Sequence, residues 1–292
     1  MNPATAQDAF LADGVALRKM TAADLEAAYA MSTELRWPHR LEDWQLAFAL
    51  GQGVVAERDG AVVATGLTWR WDRHFATLGL IIVAEACRGQ RIGHRMMDAL
   101  MAEAAPRTLL LHATAEGRGL YERLGFARTG EVRQHQGTAL PAPLVALDPG
   151  WRLRPASHRD LDALIALDAR ARGMHRPALL ATLVAEAPHA VVLDHDNTAQ
   201  GFALLRRFGR GWAIGPVTAP DARGAQALIA HLAGLNAGRF TRIDIDFDSG
   251  LAEWIETLGM RRVGTVTTMV RGSAPAHDPG LRQFALATQA FG

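Results

Sequence analysis
The 292-residue chain holds one cysteine, Cys87, one lysine, Lys19, and two tyrosines, Tyr29 and Tyr121. A single cysteine excludes an intrachain disulfide and a cysteine-based zinc site, and no metal is expected. The lone lysine sits at a strand end among turn-forming residues, which argues against Schiff-base chemistry. Charge of one dominant sign is also missing. The net charge of +1 gives no long-range attraction to nucleic acid or to an anionic membrane. No basic stretch interleaved with aromatics offers a nucleic-acid surface either. No apolar run approaches the ~20 residues that cross a bilayer. The opening residues, MNPATAQDAFLADG, have neither a basic nor an apolar segment of the secretory kind, so a cytoplasmic protein is the expectation. The hydrophobic fraction of 49% and charged fraction of 21% are those of a folded domain.

A repeat organises what is there. LRKMTAADLEA at 17–27 and LRPASHRDLDA at 153–163 share Leu, Arg, Asp, Leu and Ala at an offset of 136. In each copy a strand-like start meets Thr21 or Ser157 with an aspartate three residues on, a relative of the capping box. Further along, LGFARTGEV at 124–132 matches LGMRRVGTV at 258–266 at an offset of 134. Two matches in the same order predict two domains of one fold, residues 1–147 and 148–292, divided at the turn-rich Pro149-Gly150.

The hydrophobic patterning is mixed α and β. Alternation around Asp59-Gly60 predicts a hairpin, and HFATLGLIIV at 74–83 predicts an apolar central strand. Ile92, Met96, Met97, Leu100 and Met101 form one stripe of a helix suited to packing on a sheet. A strand at 109–113, a short helix at 117–124 and a strand at 127–133 close the first half. The second half repeats that order, ending in a helix at 251–258 and a strand at 261–271.

EACRGQRIGHRMMDALM at 85–101 carries the chemistry. A strand runs into Arg88-Gly89-Gln90-Arg91-Ile92-Gly93 and then directly into a helix, a junction where amides and the helix dipole suit a phosphate. It resembles the acetyl-CoA site of GNAT-type N-acetyltransferases, whose signature is Arg/Gln-x-x-Gly-x-Gly/Ala after the fourth strand. Arg88, Gly89, Ile92 and Gly93 match, and Arg91 stands where the middle glycine is usual. LHATAEGRGLYERLGF at 111–126 resembles the family's later motif through Leu120, Tyr121, Gly125 and Phe126, with Thr114 in place of a common Asn.

The resemblance implies an α+β fold: two tandem GNAT-like domains, each a mostly antiparallel sheet with splayed middle strands flanked by helices. It implies that the pantetheine arm of acetyl-CoA pairs with Ile81, Ile82 and Val83, and that Arg88 to Gly93, including Gln90, hold the pyrophosphate. Thr114 would support the same cofactor. A backbone N–H on the fourth strand would stabilise the oxyanion, and Tyr121 would protonate the leaving thiolate. The acceptor would be a primary amine, small-molecule or peptide.

No base is assigned: Glu85, His112 and the Glu42-Asp43 pair are the residues at hand, besides water or an already neutral amine. RWPHRLEDWQL at 36–46 supplies Trp37 and His39 as acceptor-side residues, with Trp44 beside them. In the second copy Ile92 and Gly93 become Ala227 and Leu228, and Tyr121 becomes Ile255. That half is expected to shape structure or substrate rather than catalyse, and the basic, glycine-rich RRFGRGWAIGPV at 206–217 is read either as a segment set against the first half or in a shared acceptor pocket, or as an exposed hairpin of no special role. The rival reading is a non-catalytic acyl-CoA-binding sensor or scaffold.

Overall fold
The computed structural model describes residues 14–292. The first half runs β1 (Val15–Lys19), α1 (Leu25–Glu34), α2 (Leu41–Leu50), β2 (Gln52–Arg58), β3 (Ala61–Arg70), β4 (Phe75–Val83), α3 (Ile92–Ala104), β5 (Thr108–Ala113), α4 (Ala115–Arg123) and β6 (Ala127–Thr138). The second half repeats this as β7 (Trp151–Pro155), α5 (Leu161–Arg172), α6 (Pro177–Glu186), β8 (His189–His195), β9 (Thr198–Phe208), β10 (Gly211–Ala219), α7 (Ala222–Leu235), β11 (Phe240–Asp246), α8 (Ala252–Thr257) and β12 (Arg261–Arg271). One more strand, β13 (Arg282–Ala285), follows.

Local chemistry explains the repeat. Arg18 forks onto Asp24 at 2.8 and 2.7 Å, and Arg154 forks onto Asp160 at 3.0 and 2.7 Å. The same carboxylates accept the backbone N–H of Thr21 (2.8 Å) and Ser157 (2.7 Å) at the helix entrances. Each Leu-Arg…Asp-Leu signature is therefore a charge-assisted clamp between a strand and the helix that follows it. The Arg18 guanidinium holds the Asp24 carboxyl down at about 2. The hairpins match too: Asp59-Gly60 and Asp196-Asn197 both turn with two positive φ angles, the geometry whose twist suits adjoining strands.

The strands form one sheet in the order β1-β2-β3-β4-β5-β12-β6-β11-β13-β10-β9-β8-β7. The closing strands are exchanged. β12 of the second half pairs with β5 of the first, from Thr267↔Ala113 to Arg271↔Leu109. β6 of the first half pairs with β11 of the second, from Phe240↔Thr138 to Asp246↔Val132. β6 and β12 lie side by side and antiparallel. Close backbone passage at the crossing requires glycine: a Cβ on Gly137 would stand 2.2 Å from the Gly259 carbonyl oxygen, and one on Gly259 would stand 2.4 Å from that of Thr138.

Three buried clusters hold the layers. α3 covers one face of the first half through Ile92, Met96, Met97 and Leu100, as its stripe predicts. α7 and α8 cover the corresponding face of the second half through Leu228, Ile229, Leu232 and Ile255. On the opposite face α1, α2, α5 and α6 share a single core that runs across both halves and includes Leu281, Ala287 and Phe291.

Candidate functional site
The sheet opens at its middle in the first half. β4 and β5 run parallel from Phe75↔Thr108 to Leu78↔Leu111, and their pairing ends there. On its other edge β4 bulges: Thr65 faces Ile82 and Leu67 faces Gly79, so Leu80 and Ile81 together oppose Gly66. Leu80 sits at φ +53, a conformation a leucine adopts only at a cost. Bulge and divergence leave a cleft of about 920 Å³ lined by Leu78 to Val83, Arg88, Gly89, Arg91 to His94, Leu111, His112, Thr114 and the inner face of α4.

The loop that enters α3 forms one wall. Gly89 lies at φ +77 and Arg91 at φ +60, so Arg91 takes the left-handed conformation for which glycine is the usual residue. Among the described residues, the amides of Gly89 to Gly93 donate to no backbone carbonyl, whereas those of His94 and Arg95 close onto the Arg91 carbonyl at 3.1 Å. A glycine substituted for Arg91 relieves backbone strain of roughly 1 kcal/mol but removes a cation. Arg91→Gly is therefore expected to melt at or above the parent temperature, and Arg91→Ala below Arg91→Gly. Both should lose the same several-fold affinity for a diphosphate ligand if the charge contributes; calorimetry against coenzyme A checks this.

α4 forms the other wall. The Thr114 hydroxyl accepts from the Gly117 N–H at 3.4 Å, capping the helix. Tyr121 lies one turn on from Gly117, only 9% exposed, with its ring edge-on to Phe126 at 6.1 Å. Burial pushes its hydroxyl up to about 12, so the phenol keeps its proton at neutral pH. A Cβ on Gly117 would come within 3.0 Å of the Tyr121 ring, which makes Gly117 a residue that seats Tyr121. The sequence alone gave it no such role; its spacing four residues before Tyr121 on a helix is the signal.

Of the residues singled out from sequence, Ile81, Ile82, Val83, Arg88, Gly89, Arg91, Ile92, Gly93, Thr114, Tyr121 and Trp37 line the cleft. Gln90 lies outside that lining: its side chain accepts from Arg58 Nη2 at 2.5 Å and donates to the Ala86 carbonyl at 3.2 Å. His39 also lies outside it, between Trp37, Trp44 and Phe208 at ring distances of 5.8, 6.3 and 5.5 Å, and burial lowers its imidazole to about 4. Trp44 is fully buried and donates to Ser32 Oγ at 3.0 Å. Among the base candidates, Glu85 is exposed outside the cleft lining. Asp43 is taken up by Arg40 at 2.7 Å and by the Gly209 N–H at 2.9 Å, which seats the 206–217 hairpin on the first half. His112 lines the cleft, and its Nδ1 stands 2.8 Å from the Gln289 carbonyl oxygen.

The second half has the same geometry with a different outcome. β10 and β11 run parallel from Trp212↔Thr241 to Ile214↔Ile243, and β10 bulges at Gly215-Pro216. Beyond that point β13 enters the gap, pairing antiparallel with Val217, Thr218 and Ala219 and with Ile245. The Leu286 N–H closes onto the Asp244 carbonyl at 2.8 Å. A Cβ on Gly215 would stand 2.0 Å from the Leu286 carbonyl oxygen, so glycine permits the approach. This strand escapes sequence reading because four residues, one of them arginine, give no periodicity.

The first half thus keeps an open cleft where a parallel pair diverges after a bulge, beside a loop of unpaired amides that leads into a helix. Two family models, each described as acetyltransferase (GNAT) domain, match residues 49–128 and 164–285. The chain belongs to the GNAT acetyltransferase family as a tandem member. It is 30% identical over 171 residues to the uncharacterized N-acetyltransferase YitH of Bacillus subtilis, a match that spans 58% of this chain and 60% of that protein. In fold it resembles a protein of Pyrococcus horikoshii (TM-score 0.79, 20% identity, 99% of both chains). It also resembles a tandem GNAT protein from the clavulanic acid biosynthesis pathway (TM-score 0.62, 13% identity, 89% of this chain and 99% of that one). Among the described residues no helix is long and apolar enough to cross a membrane, and no group of three or more His, Cys, Asp or Glu residues is placed to hold a metal.

Proposed function
We propose that the chain is an acetyl-CoA-dependent N-acetyltransferase acting on a primary amine, with the catalytic site in residues 1–147. Residues 148–292 serve as a structural and substrate-shaping partner. The observation that carries this reading is the open divergence of β4 and β5 between unpaired loop amides on one wall and a protonated phenol on the other. The free edge of Ile81, Ile82 and Val83 is suited to pairing with a pantetheine arm. Arg88, Arg91 and the Gly89–Gly93 amides would hold the diphosphate, with the α3 dipole behind them.

In the transfer, the amine nitrogen forms a bond to the thioester carbon and the carbon–sulfur bond breaks. A backbone N–H of β4, at the bulge that opposes Leu80 and Ile81 to Gly66, would stabilise the developing oxyanion. Tyr121 donates its proton to the departing thiolate and recovers one from solvent, while the amine releases its own. No carboxylate stands on β4, and an amine taken up already neutral needs none. Calorimetric titration of the full chain with acetyl-CoA is the test. One equivalent bound per chain is expected, because β13 closes the second gap. No binding, or two equivalents, would sink the assignment.

A further inference from the structure
We infer that the acceptor is an amine carried on an apolar or aromatic body, and that His112 Nε2 accepts a hydrogen bond from its nitrogen. This rests on the reading above. The cleft passes through the sheet. Its charged lining groups, Arg88, Arg91, His94, Glu116 and Arg123, belong to the α3 entrance and α4, the face covered by α3. The opposite mouth is made by Leu35, Trp37, Leu80 and His112, on the face where α1, α2, α5 and α6 share their core. Among the described residues, Glu116 is the only carboxylate in the lining. Asp43 is bound to Arg40 at 2.7 Å, and Asp244 to Arg242 at 2.7 Å. A substrate with several ammonium groups would therefore find no counter-charge at this mouth, and its desolvation would go uncompensated. The backbone N–H of Trp37 donates to the Ser32 carbonyl at 2.9 Å, and its side chain lines the cleft as an aromatic wall.

His112 is the polar group of that mouth. The Gln289 carbonyl can only accept, so the 2.8 Å contact puts the proton on Nδ1 and leaves the Nε2 lone pair on the far edge of the ring. Burial holds the ring neutral, with its pKa lowered to about 4. The tail that supplies this carbonyl is itself anchored: Arg206 Nη2 donates to the Ala287 carbonyl, and Arg176 Nη1 to that of Phe291 at 3.0 Å. β13 and the residues after it thus close the second gap and set the tautomer at the first.

The test is thiol release from acetyl-CoA by the full chain with phenethylamine, tryptamine, spermidine and kanamycin as acceptors. The arylalkylamines are expected to exceed the polycations by about 30-fold in kcat/KM, and Trp37→Ala to lower that value mainly through KM. His112→Asn keeps an amide N–H for the Gln289 carbonyl but has no atom at the Nε2 position. His112→Gln places a carbonyl oxygen near that position. Loss of one substrate hydrogen bond predicts a fall of roughly 10- to 100-fold for His112→Asn and a smaller fall for His112→Gln, with acetyl-CoA affinity unchanged in both. A purely structural histidine would give the reverse order, and that order overturns the inference. So does faster acetylation of spermidine or kanamycin, or no arylalkylamine rate above the water background in a chain that binds acetyl-CoA. Absence of acetyl-CoA binding would instead strike the underlying assignment.

Discussion

Replacement of Tyr121 by phenylalanine is expected to leave acetyl-CoA binding within about twofold and to cut turnover by ~10² or more. Phenylalanine keeps the ring against Phe126 and in the space left by Gly117, so folding and the cofactor wall are preserved. Only the hydroxyl is lost. Burial alone raises that hydroxyl to about 12, and the same water-poor setting raises the proton affinity of a departing thiolate. Donor and acceptor therefore remain matched despite the unusual value. The sign is fixed: a raised phenol pKa favours the proton-bearing form. The alkaline fall in rate attributable to Tyr121 should therefore be centred near pH 12 rather than at the ~10 of a free phenol. Near-normal turnover in the variant, measured by thiol release at saturating acetyl-CoA, would remove Tyr121 from the mechanism.

Arg176→Met is expected to destabilise the whole chain by about 3–5 kcal/mol. Arg176 and Asp168 are completely buried and joined at 2.7 and 2.9 Å. The same guanidinium donates to the Phe291 and Gly292 carbonyls at 3.0 and 2.6 Å. Methionine fills similar space but leaves the Asp168 carboxylate without its hydrogen-bonded partner, with Arg172 remaining as a nearby cation, and leaves the Phe291 and Gly292 oxygens without this donor. Adding Asp168→Leu should recover a large part of the loss, because removal of both charges costs far less than removal of one. Urea unfolding gives both numbers. Phe291 stands edge-on to Trp69 and Trp71 at 5.1 and 6.1 Å, so tryptophan emission reports release of the tail. A single variant within about 1 kcal/mol of the parent would contradict the importance given to this ion pair.

Much of the architecture was legible because it is written locally. The Asp59-Gly60 hairpin, the Thr21–Asp24 and Ser157–Asp160 helix entrances and the α3 stripe each depend on residues within one turn or one strand. The cleft wall at 88–93 was read through the family resemblance, which marked Arg91 as standing where glycine is usual but wrongly included Gln90 in the lining. What stayed hidden depends on partners far away in sequence. β6 and β12 have similar lengths, 12 and 11 residues, and nothing in either says which of two neighbouring edges it joins. His39 and Asp43 looked like pocket residues because their contacts with Phe208 and Gly209 lie more than 160 residues away. Gln289 carries no pattern at all; its part is played by a backbone carbonyl.

The crossing of β6 and β12 bears on how such a molecule is put together. Severed at Pro149-Gly150, each portion would present a raw edge where the other's ribbon belongs, a surface prone to unwanted association. Neither portion is a finished object, and the first must wait for the last residues to be synthesised before its own sheet is whole.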